Sequence, residues 1–223
     1  MARAPQAGVV AAKAHDAGAR RGRDRTLDQD DLAGGKKNAA RQGATIVFVD
    51  ESGFSERPSV QCTWAPRGQT PVLEHRFGHW KHLSAIGGTA YSPHGRRTRF
   101  FLRLVPGAVR SEHVIRFLKQ LRQHLPGPVL VIWDGVNPHR SIATRQFVEQ
   151  EASWLTLIRL PAYAPELNPV EGAWSWYKRT VVGNFCPEGH GPLHRTLRLA
   201  RRRLNRRRSL LLGFLHKSGL SLP

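Results

Sequence analysis

The chain has 223 residues, which is enough for one well-filled domain with an appendage and too few for two domains of usual size. Its 35 lysines and arginines against 16 acidic residues give a formal net charge of +19, which favours a polyanionic partner. Nucleic acid is the leading candidate. A ribosomal or membrane-surface role would be compatible with the same charge. The two cysteines lie far apart, which argues against a disulfide scaffold. The sequence has no signal peptide and no apolar run near ~20 residues, which argues against a membrane protein. We therefore predict a cytoplasmic, nucleoid-associated protein.

The first part of the chain predicts an unstructured segment followed by strands. Residues 1–43 contain almost no large apolar side chains, so we expect a disordered or weakly structured basic segment, with a short helix near 36–42 as its one candidate element. The folded domain is expected to begin at 44–50, "ATIVFVD", a continuous apolar run typical of a strand covered on both faces, which ends at Asp50. Further extended segments are predicted over 61–73, 82–91 and 98–105, and their shortness and spacing indicate an antiparallel meander.

The second half of the chain alternates helices and strands. Apolar side chains at three- and four-residue spacings predict an amphipathic helix over 111–125, with Ser111 as its N-cap. A second continuous apolar run predicts a strand that ends at Asp134. It is followed by a predicted helix over 141–150, a strand over 153–160 and a helix that begins after Asn168. This order is that of an α/β fold. We expect Trp64, Trp80, Trp133 and Trp154 in the core.

Two of the predicted strands end in an aspartate, Asp50 and Asp134. If the strands are parallel neighbours, both carboxylates emerge at the same edge of the sheet, where open α/β sheets bind ligands. Two carboxylates at short range repel each other and need a positive neighbour, which an arginine or an ion such as Mg²⁺ or Mn²⁺ can supply. Taken singly, each aspartate is also explained by a turn, because "DESG" and "DGVNP" are favourable turn sequences.

Glu171 likewise has two interpretations. Asn168, Pro169 and Glu171 fit the N-cap, first and third positions of a helix, so a capping box explains the glutamate locally. The same helix has an apolar stripe, and Glu171 lies about a quarter turn from it, where it can face a cleft at the sheet edge.

Three motifs together resemble the catalytic part of a DDE-type transposase of the mariner superfamily, in its bacterial insertion-sequence branch. They are "VFVDESGFS" at 47–55 with "WAPRGQTP" at 64–71, "VIWDGVNPHRS" at 131–141, and "LPAYAPELNPVEGAWSWYKR" at 160–179. The resemblance covers residues 44–181, and the last motif is the most specific.

This resemblance implies a ribonuclease-H-like fold, a five-stranded mixed sheet flanked by helices, with an acidic triad that holds two divalent ions, Mg²⁺ or Mn²⁺. Carried over by motif, the triad is Asp50, Asp134 and Glu171, which would be both the catalytic residues and the metal ligands. In such a site one ion activates water or a DNA 3′-hydroxyl, and the other stabilises the leaving oxygen. His139 matches the family's histidine and Asn168 would fix where Glu171 points, so both are auxiliary candidates.

The chain also departs from the family pattern. Gly135 follows Asp134 where the family usually has asparagine, which removes a side chain that could orient a ligand or phosphate. His139 is explained equally well as a surface loop histidine. The family's N-terminal helix-turn-helix region has no counterpart before residue 44, so we expect recognition of the element ends to be absent or supplied by another polypeptide.

An Arg-rich segment near the C-terminus predicts a basic helix. Leu193, Leu197, Ala200 and Leu204 recur at helical spacing, so one stripe can pack while the arginines cover the rest. We interpret this helix as one that tracks DNA phosphates, and a solvated charged face is the alternative. The residues predicted to contact DNA are Lys178, Arg179, Arg198, Arg201, Arg202, Arg203, Arg206, Arg207 and Arg208.

Three units are therefore expected: the N-terminal segment 1–43, a catalytic domain over 44–181 and an Arg-rich helical extension over 182–223. The leading hypothesis is a divalent-metal-dependent transposase or endonuclease that cleaves and transfers DNA strands of an insertion sequence. Its partners would be the DNA of the element ends and target, together with a second copy or a full-length transposase, and no membrane. The alternatives are a truncated, non-catalytic DNA-binding or inhibitory transposase fragment, and a ribonuclease H or resolvase-like nuclease.

Overall fold

The computed structural model describes residues 41–74, 81–135, 137–161 and 164–220. The N-terminal segment predicted over 1–43 and its candidate helix therefore lie outside the described residues, apart from positions 41–43, and so does Trp80.

A five-stranded mixed sheet forms the centre of the fold. The order across it is β3-β2-β1-β4-β5; β1 to β3 form an antiparallel meander, β4 runs parallel to β1, and β5 runs parallel to β4. The predicted five-stranded mixed sheet is confirmed. Of the predicted antiparallel meander, 82–91 and 98–105 form β2 and β3, and β1 is its third strand. The strands are β1 (Thr45–Ser55), β2 (His82–Tyr91), β3 (Thr98–Pro106), β4 (Val129–Trp133) and β5 (Leu155–Arg159).

Helices cover both faces of the sheet. They are α1 (Ser111–His124), α2 (Asn137–Arg140), α3 (Ile142–Gln150), α4 (Pro169–Trp176), α5 (His190–Asn205) and α6 (Arg208–Lys217), with a π-helical turn at Tyr177–Val181. Successive side chains of a strand point to opposite faces. Ile46 and Phe48 of β1 therefore pack with α4, α5 and α6, whereas Val47 and Val49 pack with α1 and α3.

β1 does not end at Asp50, so that prediction is wrong. The strand continues to Ser55 because β2 goes on supplying backbone partners: Glu51 pairs with Ile86, and Ser55 pairs with His82. The ladder thus overrides the local turn preference of "DESG". β4, by contrast, ends at Trp133, immediately before Asp134, as predicted.

Residues 61–73 form no strand, which also corrects a prediction. The Asn184 side chain holds the backbone of Gln61, because it donates to the Gln61 carbonyl at 2.9 Å and accepts from its amide at 2.7 Å. Prolines in this segment lack the N–H that a sheet ladder requires. Trp64 is 100% exposed and not in the core, whereas Trp133 and Trp154 are buried as predicted.

The helix ends show one further correction. α1 starts at Ser111, but its N-cap is Arg110, whose backbone N–H donates to His113 Nδ1 at 3.1 Å.

The apolar stripe predicted for α5 is buried, and so are Leu211 and Leu215 of α6. Within the described residues, no helix combines the length and apolarity that a membrane crossing requires.

Candidate active site

Asp50 lies in the middle of β1, on the face that packs against α4. Its side chain is 9% exposed, and its Oδ2 accepts a hydrogen bond from Trp174 Nε1 at 3.1 Å. Opposite Asp50 on β2 is Gly87, where a Cβ atom would lie 2.5 Å from the Trp174 ring. A glycine is therefore required at this position for the indole to reach the carboxylate.

Asp134 lies level with Asp50 at the edge of the sheet. The ladder between β1 and β4 ends where Phe48 is opposite Ile132, two residues before Asp50 and Asp134. The Asp134 charge contributes to the raised pKa of Asp50, so the two carboxylates are near each other. Asp134 is outside the strand and its side chain is 38% exposed. β1 and β4 are parallel neighbours as expected, but β1 continues past Asp50 and Asp134 lies just outside β4.

Glu171 lies in the first turn of α4, and its backbone position is set by Asn168. The Asn168 side chain accepts from the Val170 amide at 3.2 Å, which confirms the predicted N-cap, and donates to the Val49 carbonyl at 3.3 Å. The Asn168 amide itself donates to the Pro165 carbonyl at 2.9 Å, so it needs no bond from the Glu171 carboxylate. Asn168 thereby fastens the start of α4 to β1 next to Asp50, and the Glu171 side chain remains exposed.

Burial and the neighbouring carboxylates both change the pKa of Asp50. The pKa of Asp50 rises from 3.8 to about 7, chiefly because of burial and then because of the Glu171 and Glu51 carboxylates; a backbone hydrogen bond at Glu51 opposes the rise, and Asp134 adds to it. Asp50 therefore binds a proton more readily than an ordinary aspartate when no cation is bound. A divalent ion would replace that proton, and hard carboxylate oxygens are the ligands that Mg²⁺ and Mn²⁺ take. The residues present fit such an ion.

A second cluster, which we call the histidine clasp, consists of Glu51, His139 and Asp134. Within the described part of the chain, it is the group of three side chains whose ligand atoms all lie within 4.8 Å of one another. His139 Nε2 lies 2.8 Å from Glu51 Oε1, and His139 Nδ1 lies 3.0 Å from Asp134 Oδ1. Asp50 and Glu171 are not part of the histidine clasp. Asp134 belongs both to the clasp and to the predicted triad.

His139 is buried and charged, not a surface loop residue. Burial acts to lower its pKa, but hydrogen bonds to Asp134 and Glu51 and the Glu51 charge outweigh burial and raise the pKa to about 9. Both ring nitrogens face carboxylate oxygens, which only accept when ionised, so both nitrogens donate. An imidazolium thus already fills the place of a cation between Glu51 and Asp134.

Glu51 is a site residue that the sequence did not predict. It is adjacent to Asp50 but points to the opposite face of β1, because side chains alternate along a strand. The signal that could have revealed it is the continuation of β1 through "ESGFS", with Glu51 at the edge where the His139 loop begins.

The residues predicted to contact DNA lie on the C-terminal elements. Lys178 and Arg179 are exposed on the π-helical turn, and the arginines of α5 are exposed apart from the half-buried Arg201. Arg208 at the start of α6 donates from Nη2 to the Gly95 carbonyl at 2.8 Å, so it also holds α6 to the turn between β2 and β3.

A cavity of about 660 Å³ lies at the opposite end of β1, where Thr45 begins the strand. Arg96, Arg97, Arg99 and His124 line it, and none of the described residues of its lining is a carboxylate. It is therefore separate from the carboxylate site.

Comparisons with known proteins agree with this architecture. Residues 45–187 match the model of a protein family described as DDE superfamily endonuclease. Among curated protein sequences, none matches the chain closely enough to count as a relative.

Three solved structures of the Mos1 mariner transposase resemble the chain. The paired end complex with Mn and that with Mg both superpose with a TM-score of 0.55, at 14% and 15% identity, and each comparison covers 87% of this chain and 62% of that one. The Mos1 Strand Transfer Complex superposes with a TM-score of 0.50 at 14% identity, over 88% of this chain and 65% of that one. The chain thus spans less than two thirds of the Mos1 chains, and the likeness confirms the ribonuclease-H-like fold.

Proposed function

Because the chain belongs to the family of DDE superfamily endonucleases, we propose that it is a transposase catalytic domain that cleaves DNA strands and joins them to a target. The observation that carries the proposal is the position of Asp50. Asp50 is buried at the centre of the sheet, and its pKa is raised to about 7 beside Glu171 and Asp134. Burial of such a carboxylate destabilises the fold, and a bound cation would offset that cost.

Asp50, Asp134 and Glu171 are the residues we propose as metal ligands, with Mg²⁺ or Mn²⁺ as the ion and two ions as the full complement. A bound divalent ion at such a site would supply Lewis-acid activation of the attacking oxygen and charge stabilisation at the phosphate. Mos1 complexes with Mn and with Mg are among the similar structures, which supports this choice of ion.

The protein's own groups prepare the site in three ways. Trp174 holds one oxygen of Asp50 through its indole N–H, which fixes the side-chain rotamer of a residue that the strand already holds. Asn168 sets the start of α4, and with it the backbone of Glu171. The proton that Asp50 binds near neutral pH must leave when a cation enters, so binding of the ion is coupled to release of that proton.

DNA is the proposed substrate and partner. The net charge of +19 and the exposed arginines of α5 favour a phosphate backbone over a neutral ligand. The Mos1 structures are described as a paired end complex and a strand transfer complex, which supports element ends and a target as the DNA partners. A second copy of the chain, a full-length transposase as its partner, and membership of the bacterial insertion-sequence branch remain predictions.

The test is cleavage of element-end DNA by the purified chain in Mn²⁺ or Mg²⁺. We expect nicked or joined products with wild-type protein, and loss of activity by a factor of at least about 10² with Asp134→Asn, because one oxygen ligand is lost. Arg116→Gln, on the far face of the sheet, is the matched control and should retain activity. Unchanged cleavage by Asp134→Asn would rule out the assignment. DNA binding without any effect of divalent ions on cleavage would favour a non-catalytic fragment, and preferred cleavage of an RNA–DNA hybrid would favour a ribonuclease H.

A further inference from the structure

Asp134 is the proposed ligand with the least backbone support. Asp50 is held inside β1 by ladder bonds to β2, whereas β4 ends at Trp133 and leaves Asp134 in the connection to α2. A ligating carboxylate must nevertheless keep its orientation, because a metal site tolerates errors of only about 0.5 Å in its ligands. Some other group must therefore orient Asp134.

His139 holds residue 134 at two points. Its Nδ1 lies 3.0 Å from Asp134 Oδ1 and 3.1 Å from the Asp134 backbone carbonyl oxygen. The His139 side chain is 0% exposed. If the Asp134 side chain rotated so that Oδ1 left Nδ1, a buried hydrogen bond would be lost.

The His139 ring is itself held by a stacking partner and by the turn that carries it. It stacks on the Trp133 indole, with ring centroids 4.1 Å apart and planes inclined by 3°. The turn that carries it is closed by the buried Thr144, whose Oγ1 donates to the Pro138 carbonyl at 2.8 Å and whose amide donates to Ser141 Oγ at 3.2 Å. The ring therefore cannot follow Asp134 if that side chain moves.

Glu51 ties the clasp back to β1. Its Oε1 lies 2.8 Å from His139 Nε2, and its backbone is adjacent to Asp50. The chain of contacts from Glu51 through His139 to Asp134 thus links the strand that carries one proposed ligand to the loop that carries another.

We propose that His139 and Glu51 are positioning residues that orient Asp134 for metal binding. The proposal rests on the proposed function of the carboxylate site and adds two residues that do not touch the metal or the DNA. Partners of this kind, which hold a ligand through a hydrogen bond, typically change metal affinity by about 10- to 100-fold when they are removed.

The competing arrangement is a metal ion held directly by Glu51, Asp134 and His139. The distances argue against it, because both ring nitrogens lie at hydrogen-bond range from carboxylate oxygens, so an ion would have to displace one of these bonds. It would also leave Asp50 with its carboxylate neighbours and no counter-charge.

The test measures Mn²⁺ binding to the full chain without DNA, by the loss of the free-ion EPR signal. We expect His139→Ala and Glu51→Ala to weaken binding by about 10- to 100-fold. Glu51→Gln keeps an oxygen that accepts from Nε2, so its loss should be smaller than that of Glu51→Ala. His124→Ala removes an exposed histidine from α1 and should bind as wild type does.

Cleavage assays supply a second readout that a purely structural role would not change. In His139→Ala, activity lost at low Mn²⁺ should return when the Mn²⁺ concentration is raised by about 10- to 100-fold, with the KM for DNA unchanged. If His139→Ala does not fold, as judged by its thermal transition, the comparison of Glu51→Ala with Glu51→Gln decides.

Three results would overturn the proposal. One is Mn²⁺ affinity of His139→Ala and Glu51→Ala equal to wild type. The second is loss of binding in both variants together with unchanged binding in Asp50→Asn, which would place the ion in the histidine clasp. The third is a wild-type chain that binds no Mn²⁺. Failure of the proposed function is a separate result: the Mn²⁺ pattern would hold while element-end DNA stayed uncut.

Discussion

Asp50 links the chemistry of the site to the stability of the fold. Its raised pKa means that the folded protein binds more protons than the unfolded chain between the two pKa values of this carboxyl, about 4 and about 7. Stability is therefore lost as the pH rises through this range. The rise from 3.8 to about 7 corresponds to about 4 kcal/mol at most, since each pKa unit is worth about 1.4 kcal/mol.

We therefore predict that the metal-free protein becomes less stable between pH 4 and pH 7, and that Asp50→Asn flattens this slope. Urea unfolding in the presence of EDTA measures both. The amide of asparagine still offers an oxygen to Trp174 Nε1, so the variant should fold. His139, whose pKa is raised from 6.5 to about 9, adds a further loss of stability between those values in both proteins. Equal slopes for wild type and Asp50→Asn below pH 7 would contradict the account of Asp50.

Gly87 is predicted to be necessary because Trp174 occupies the space of a side chain. In Gly87→Ala the new Cβ would lie 2.5 Å from the indole, so the ring must shift away from Asp50. Overpacking of this kind costs about 1–3 kcal/mol, which thermal or urea unfolding would detect.

Gly53→Ala is the matched control for this change. Gly53 lies on β1 with nothing within 4 Å of an added Cβ, so alanine should leave stability unchanged or raise it slightly. Equal stability of the two variants would show that Trp174 does not need the space at Gly87.

At the level of elements, local signals were predictable and long-range partners were not. The buried stripe of α5 and the Asn168 cap of α4 follow from periodicity and from residue type within a few positions. Glu51 and His139 are 88 residues apart, and their contact depends on the register of β1 against β4 and on the continuation of β1 beyond Asp50. The turn preference of "DESG" concealed that continuation, because it is a local property that the β2 ladder overrides.

The α5 helix carries a prediction about salt. Each phosphate contact that is lost should reduce the slope of log affinity against log salt by about 0.9. We expect the double variant Arg202→Gln/Arg203→Gln to lower the slope by about 2 if both exposed side chains reach DNA phosphates.

Fluorescence anisotropy with labelled DNA at several salt concentrations measures this slope. Arg116→Gln on α1 is the control, since its exposed guanidinium pairs with Glu112 on the other face of the sheet. An unchanged slope in the double variant would indicate that α5 presents a solvated charged face.

At the scale of the whole molecule, the C-terminal helices are part of the same core as the site. Leu197 and Ala200 of α5 and Leu211 of α6 pack in the cluster that contains Trp174, and Asn205 bonds both backbone groups of Phe100 at the edge of β3. The helices thus close the face on which Asp50 lies, beyond residue 187 where the family match ends. The α/β order was predictable from the sequence, but this packing was not, because it depends on which sheet face each helix covers.

Asp50, Asp134 and Glu171 are proposed to form one metal site, in which His139 and Glu51 orient Asp134. Anomalous diffraction from a crystal of the protein grown with Mn²⁺ tests it most directly. We expect a Mn²⁺ peak bound by Asp50 and Asp134, with the hydrogen bonds from His139 to Glu51 and Asp134 retained. A peak bound by Glu51 and His139, with Asp50 left without an ion, would contradict it.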